Sequence, residues 1–155
     1  MPDETAKLLS ILDGIDEVIY VSDPETYEVL FANKAFKKDM GEIEPGDKCY
    51  KKIQNREAPC PFCTNHIIFG EKTGRAYVWE FQNEKTRRWY RCSDKAIRWT
   101  DGRLVRFELA TDITNNKLLE TELREQKEKY QGIFDESVVT IYMFDAEKNF
   151  IDTNQ

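Results

Sequence analysis

The chain has 155 residues, a formal net charge of −6, and 40% hydrophobic and 34% charged residues, which suits one ordinary domain plus an appendage with a well-solvated surface. The acidic balance removes any general electrostatic reason to bind nucleic acid, because phosphates reward an excess of Lys and Arg. No apolar run approaches the roughly 20 residues that cross a bilayer.

The opening "MPDETAKLLS" is acidic where a secretory leader would be basic and then apolar. A cytoplasmic chain is expected, with no direct membrane insertion in this stretch, although a longer protein could carry an anchor. Its four cysteines then read as thiols or metal ligands rather than disulfides.

Leu8, Leu9, Ile11, Leu12 and Ile15 recur at helical spacing behind acidic residues that suit a helix N-terminus. The β-branched and aromatic run "EVIYVSD" ends at the turn signal Asp23-Pro24, and "YEVLFAN" follows as the return strand of a hairpin. "NKAFKKDMG" is helical, with Asn33 as N-cap and Gly41 as stop. "EIEPGDK" is a loop and "KCYKKIQN" makes one or two helical turns. "APCPFCTNH" then leads into a short helix opened by Thr64 or Asn65.

"AYVWEFQNE", "RRWYRCSDKAIRW" and "RLVRFELATDIT" have strand composition and predict three long antiparallel strands, the last two joined at Asp101-Gly102. "NNKLLETELREQKEKYQGIF" is helical, with Glu120–Arg124 and Glu125–Lys129 in the favourable i,i+4 order. Leu119, Leu123, Gln126, Tyr130 and Ile133 trace either a short coiled-coil seam or one apolar edge of a solvated connector. Beyond it, Asp13, Ile19, Tyr20, Asp23 and Glu25 recur as Asp135, Ile141, Tyr142, Asp145 and Glu147. One deletion later, Asn33 recurs as Asn154. This predicts the beginning of a second copy, and hence a fragment of a longer multidomain protein.

The order of two strands, short helices, three long strands and an exit helix resembles the PAS domains. "ANKAF" (Ala32 to Phe36) resembles their strand-to-helix junction, and "DGRLVRFELATDIT" their last strand, which ends in the Asp112-Ile113-Thr114 triplet. The resemblance implies an α+β fold, with a five-stranded antiparallel sheet, short helices on one face, an N-terminal helix and a C-terminal signalling helix. It divides the chain into a sensory domain over 1–114, a linker or signalling helix over 115–131 and a truncated second domain over 132–155. "CYKKIQNREAPCPFCTN" resembles a bacterial and archaeal subset with a Cys and a Pro-Cys-Pro-x-Cys loop, found upstream of histidine-kinase or diguanylate-cyclase (GGDEF) modules. The resemblance implies a sensor that relays a small-molecule, metal or redox cue through Asp112, Ile113 and Thr114. It also implies a homodimer formed through the N-terminal helix, the sheet face or the C-terminal helix.

The thiol loop admits three readings. Cys60 and Cys63 have metal-knuckle spacing, His66 shares a helical face with Cys63, and Cys49 is a candidate third thiolate, which points to zinc or another thiophilic metal. Structural zinc wants four N or S ligands, however. Alternatively, Cys63 at a helix start is a reactive thiolate that Cys60 resolves. In the third reading the cysteines are simply packed.

"GDKCYKKIQ" resembles the flavin-adduct motif of light-sensing PAS domains, but Lys48 and Tyr50 replace its Asn and Arg, which argues against flavin. Haem through His66 has only a lone histidine behind it. Trp79, Phe81 and Trp89 are candidate pocket-lining residues. No phosphate loop, catalytic triad or phosphoacceptor histidine is present, so the fragment is not expected to be an enzyme. A thiol oxidoreductase is the one enzymatic alternative, and a ligand-free dimerisation and relay module the other competing function.

Overall fold

In a computed structural model residues 3–154 are described, and they form two compact units, one ending at Thr114 and the other beginning at Asn115. The first unit opens with α1 (Glu4–Asp13), whose N-cap Asp3 accepts from the Thr5 amide. Leu8 and Ile11 remain exposed, so the apolar period marks a helix but not a buried face.

Strands β1 (Val18–Ser22) and β2 (Val29–Ala32) form the expected hairpin. Three short helices follow, α2 (Lys34–Met40), α3 (Cys49–Gln54) and α4 (Asn65–Ile68). They precede β3 (Tyr77–Gln82), β4 (Trp89–Arg98) and β5 (Leu104–Asp112). All pairings are antiparallel and the strand order is β2-β1-β5-β4-β3.

The core lies on one face of this sheet. Phe36 and Met40 of α2 and Ile53 of α3 pack against Val18, Tyr20, Tyr90, Cys92 and Ala110. Alternation fixes that face: Tyr90, Cys92, Asp94 and Ala96 are buried along β4, while Arg91 and Lys95 between them are exposed. Register carries the same face across the sheet, where Cys92 stands opposite Trp79 and Ala110, and Asp94 opposite Glu108.

The entry to α2 is held by Asn33. Its Oδ1 accepts from the Ile19 and Phe36 amides, and its Nδ2 donates to the carbonyls of Leu12, Ile15 and Glu17. The hairpin turns share one chemistry. Asp23 Oδ1 accepts from the amides of Glu25 and Thr26, and Asn83 Oδ1 from those of Lys85 and Thr86. In both, a left-handed residue closes the turn, Tyr27 (φ 63°) or Arg87 (φ 62°).

The second unit contains most of α5 (Thr114–Asp135) and a hairpin of β6 (Tyr142–Phe144) and β7 (Phe150–Thr153). Asn154 repeats the Asn33 arrangement: Oδ1 accepts from the Ile141 amide, and Nδ2 donates to the carbonyls of Ser137 and Val139. Lys148 (φ 69°) stands where Tyr27 stands in the first hairpin. Among the described residues, ion pairs on α5 include Lys117–Glu120 and Arg124–Glu128, so Arg124 reaches forward rather than back to Glu120. Leu119, Leu123, Tyr130 and Ile133 are exposed. Among the described residues no helix is long and apolar enough to cross a membrane.

Candidate functional site

The thiol-rich loop closes over the inner face of the sheet. Cys60 to Cys63 form a turn in which the Cys63 amide donates to the Cys60 carbonyl at 3.0 Å. Phe62, at the centre of that turn, places its ring 5.9 Å from Trp79 and 5.7 Å from Phe81, which themselves stack at 4.8 Å. Beneath lies a cavity of about 30 Å³, lined by Cys49, Cys60, Cys63, Gln54, Tyr20, Arg106 and Glu108 among others. That volume accommodates about two water molecules.

The floor of the cavity is charged. Arg106 Nη2 donates to Asp94 Oδ2 at 3.1 Å and to Glu108 Oε2 at 2.5 Å, and all three side chains are at least nine-tenths buried. Asp94 Oδ2 also accepts from Thr64 Oγ1 at 2.5 Å and Trp79 Nε1 at 2.7 Å, while Tyr20 donates its hydroxyl to Glu108 at 2.9 Å. Thr64 is the N-cap residue of α4 but makes no side-chain cap, because its hydroxyl is spent on Asp94. Four elements beside β5 itself, namely β1, α4, β3 and β4, are therefore tied to Arg106 and Glu108 directly or through Asp94.

One guanidinium serves two carboxylates, so the network carries an excess negative charge unless it holds a proton. Burial and the Glu108 charge push Asp94 up to about 7, against the opposing pull of Arg106. Glu108 is held below its ordinary value: burial raises it, but Arg106 and the hydrogen bonds from Asp94, Arg106 and Tyr20 outweigh that. Of the two carboxyls, Asp94 therefore holds a proton more readily than Glu108.

A raised carboxyl pKa means the folded chain binds more protons than the unfolded chain between 3.8 and about 7. Asp94's contribution to stability is thus full below that window and is lost as pH rises through it. Glu108 acts in the opposite sense, stabilising above its unfolded value of 4.5 and less so as pH falls. Urea unfolding across that pH window should show Asp94→Asn losing less stability with rising pH than the wild-type chain does. An unchanged slope would place Asp94 in solvent.

Of the residues the sequence singled out, Cys49, Cys60, Cys63, Trp79 and Phe81 line one cavity. His66 is exposed, its Nδ1 bonded to the Cys63 carbonyl at 2.9 Å, and is not among the lining residues. Among the described residues, no three His, Cys, Asp or Glu side chains form a group able to hold a metal ion. Trp89 is not in the lining either, since its neighbour Tyr90 takes the inward position on β4.

Burial pushes the Cys49 thiol up to about 12 and, with the Cys63 charge as second cause, that of Cys60 up to about 11. A cavity of about 30 Å³, against the ~300–1,000 Å³ usual for cofactor pockets, does not fit a flavin or a haem.

Asp112, Ile113 and Thr114 join the sheet to α5. Ile113 is buried, and its amide donates to the Trp89 carbonyl at 2.8 Å. Thr114 Oγ1 accepts from the Trp89 amide at 3.0 Å, and Asp112 Oδ1 accepts the Thr114 amide and hydroxyl at 2.9 and 2.6 Å.

The charged floor was not anticipated from sequence. Its signal is nevertheless present: Asp94 occupies the inward parity of Tyr90, Cys92 and Ala96, and Arg106 and Glu108 share the parity of Ala110.

No protein-family model matches the chain, and no curated protein does. Among solved structures it is similar to an RNA-binding light-oxygen-voltage receptor, at 19% identity and a TM-score of 0.58. That match covers 81% of this chain and 37% of the receptor's. Weaker likenesses are a sensory box histidine kinase/response regulator from Burkholderia thailandensis (19% identity, TM-score 0.47, 81% and 98% of the two chains) and the PAS domain of BvgS from Bordetella pertussis (19%, 0.44, 81% and 99%). The five-stranded antiparallel sheet with its helices is the PAS/light-oxygen-voltage fold.

Proposed function

We propose that residues 1–114 are a sensory input module. A cue acts at the thiol-lined cavity and reaches α5 through β5 and the Asp112-Ile113-Thr114 junction. The observation that carries this reading is the buried Arg106–Glu108–Asp94 cluster: Arg106 and Glu108 line the cavity and sit on β5, the strand that runs directly into the exit helix, and Asp94 ties them to β4. A charge held in a tightly packed interior has few alternative arrangements, so a change at the cavity favours a discrete shift of β5 over a diffuse one.

The cytoplasmic setting, a kinase or diguanylate-cyclase output, and a second copy of the domain from about residue 132 complete the proposal. The shared Asn33 and Asn154 bonding supports the last of these. Leu119, Leu123, Tyr130 and Ile133 suit a homodimer through α5.

The ligand-free relay is the second reading, and the small cavity favours it. Hydrogen exchange on Glu108→Gln tests the coupling. Altered protection at Ile113 and the first turn of α5 is expected, although Glu108 touches neither. Changes confined to residues around the cavity would contradict the relay.

A further inference from the structure

The turn that holds Cys60 and Cys63 brings its first and fourth α-carbons within about 7 Å, the separation that a disulfide spans. The two sulfurs differ in surroundings. Cys63 Sγ accepts from Arg106 Nη1 at 3.5 Å, so a cationic donor stands against this sulfur. Cys60 Sγ has no hydrogen-bond donor among the described residues, and burial keeps it a thiol against the pull of Arg56 and Arg106. Cys49, Cys60 and Cys63 are all half-buried along the cavity and Cys92 is fully buried, but Cys49 lies on α3, outside this turn, and its thiol is raised further than that of Cys60.

We propose that Cys60 and Cys63 are a redox-active dithiol oxidised by small-molecule disulfides, Cys63 attacking and Cys60 resolving, and that oxidation withdraws Arg106 from sulfur. In the first step the Cys63 thiolate attacks one sulfur of the disulfide RSSR. A Cys63–SR bond forms and RS⁻ leaves, taking up the proton that Cys63 released. In the second step Cys60, deprotonated, attacks the Cys63 sulfur, and a second RS⁻ departs with the Cys60 proton. Two electrons pass from the dithiol to RSSR, giving one intramolecular disulfide and two RSH.

Attack by Cys60 becomes easier once Cys63 is in the mixed disulfide, because the Cys63 charge that disfavours a Cys60 thiolate is then gone. A disulfide sulfur accepts the Arg106 hydrogen bond less well than a thiolate. Oxidation thereby leaves Nη1 with Asn65 Oδ1, 3.4 Å away, and perturbs the guanidinium that holds Asp94 and Glu108.

That this oxidation is a signal rests on the sensory reading above; the thiol chemistry does not. The test treats the full chain with oxidised glutathione, with thiol counting, peptide mapping and hydrogen exchange. Loss of two thiols as a Cys60–Cys63 disulfide is expected, with Cys49 and Cys92 left free. Cys60→Ser should accumulate glutathione on Cys63, and Cys63→Ser should slow the first addition roughly tenfold or more.

Persistence of all four thiols, or a bridge through Cys49, would overturn the proposal. A Cys60–Cys63 disulfide without any change at Ile113 and the start of α5 would uphold the dithiol and count against the relay. A Glu108→Gln response in a chain that never oxidises would do the reverse.

Discussion

Arg106→Met should destabilise the first unit by about 3–5 kcal/mol, the cost of removing one partner from a buried ion pair. Two carboxylates lose their only guanidinium in this substitution, and neither can rotate to water because Asp94 and Glu108 are both almost wholly buried. Urea unfolding gives the number, and the double variant Arg106→Met/Glu108→Gln sharpens it. Removing the stranded charge should restore much of the loss, since neutral groups of similar shape are far less costly to bury. A loss below about 1 kcal/mol for Arg106→Met is what an exposed pair would show, and it would mean that the cluster is solvated.

Asn33→Ala should be nearly as costly, at about 2–4 kcal/mol when loss of an N-cap is combined with buried backbone groups left without partners. One amide here satisfies the Ile19 and Phe36 N–H groups and the carbonyls of Leu12, Ile15 and Glu17. Alanine replaces none of these bonds. Phe36, whose ring is fully buried against Tyr20, depends on that cap for its position. Asn154→Ala should loosen the β6–β7 hairpin by removing the corresponding bonds, and unchanged hydrogen exchange at the Ile141 amide would contradict that role.

These two side chains were not equally visible in the sequence. Asn33 follows a strand, precedes a helical pattern and recurs as Asn154, so its capping role can be read from local chemistry, and the Asp23 and Asp101-Gly102 turns from theirs. The strands were likewise legible, because alternation and composition are local properties.

Arg106, Glu108 and Asp94 were not. Charged residues on a strand ordinarily face solvent, and only the pairing of β5 with β4 brings these three together. His66 and Trp89 lie outside the cavity lining. Spacing alone put His66 beside Cys63, and so it is, but facing outward and bonded to a carbonyl. Trp89 is aromatic like Trp79 but has the wrong parity for the cavity. Helix α1 shows a further limit, since an apolar period predicts that a helix forms without stating what covers it.

Carbon-detected NMR titration of the Asp94 and Glu108 carboxyl groups in the intact chain probes the buried cluster without any substitution. The account predicts two widely separated transitions: Glu108 below an ordinary glutamate and Asp94 near neutrality. Two carboxyls titrating together at ordinary values would show water at both, and the charged floor beneath the thiol cavity would not exist.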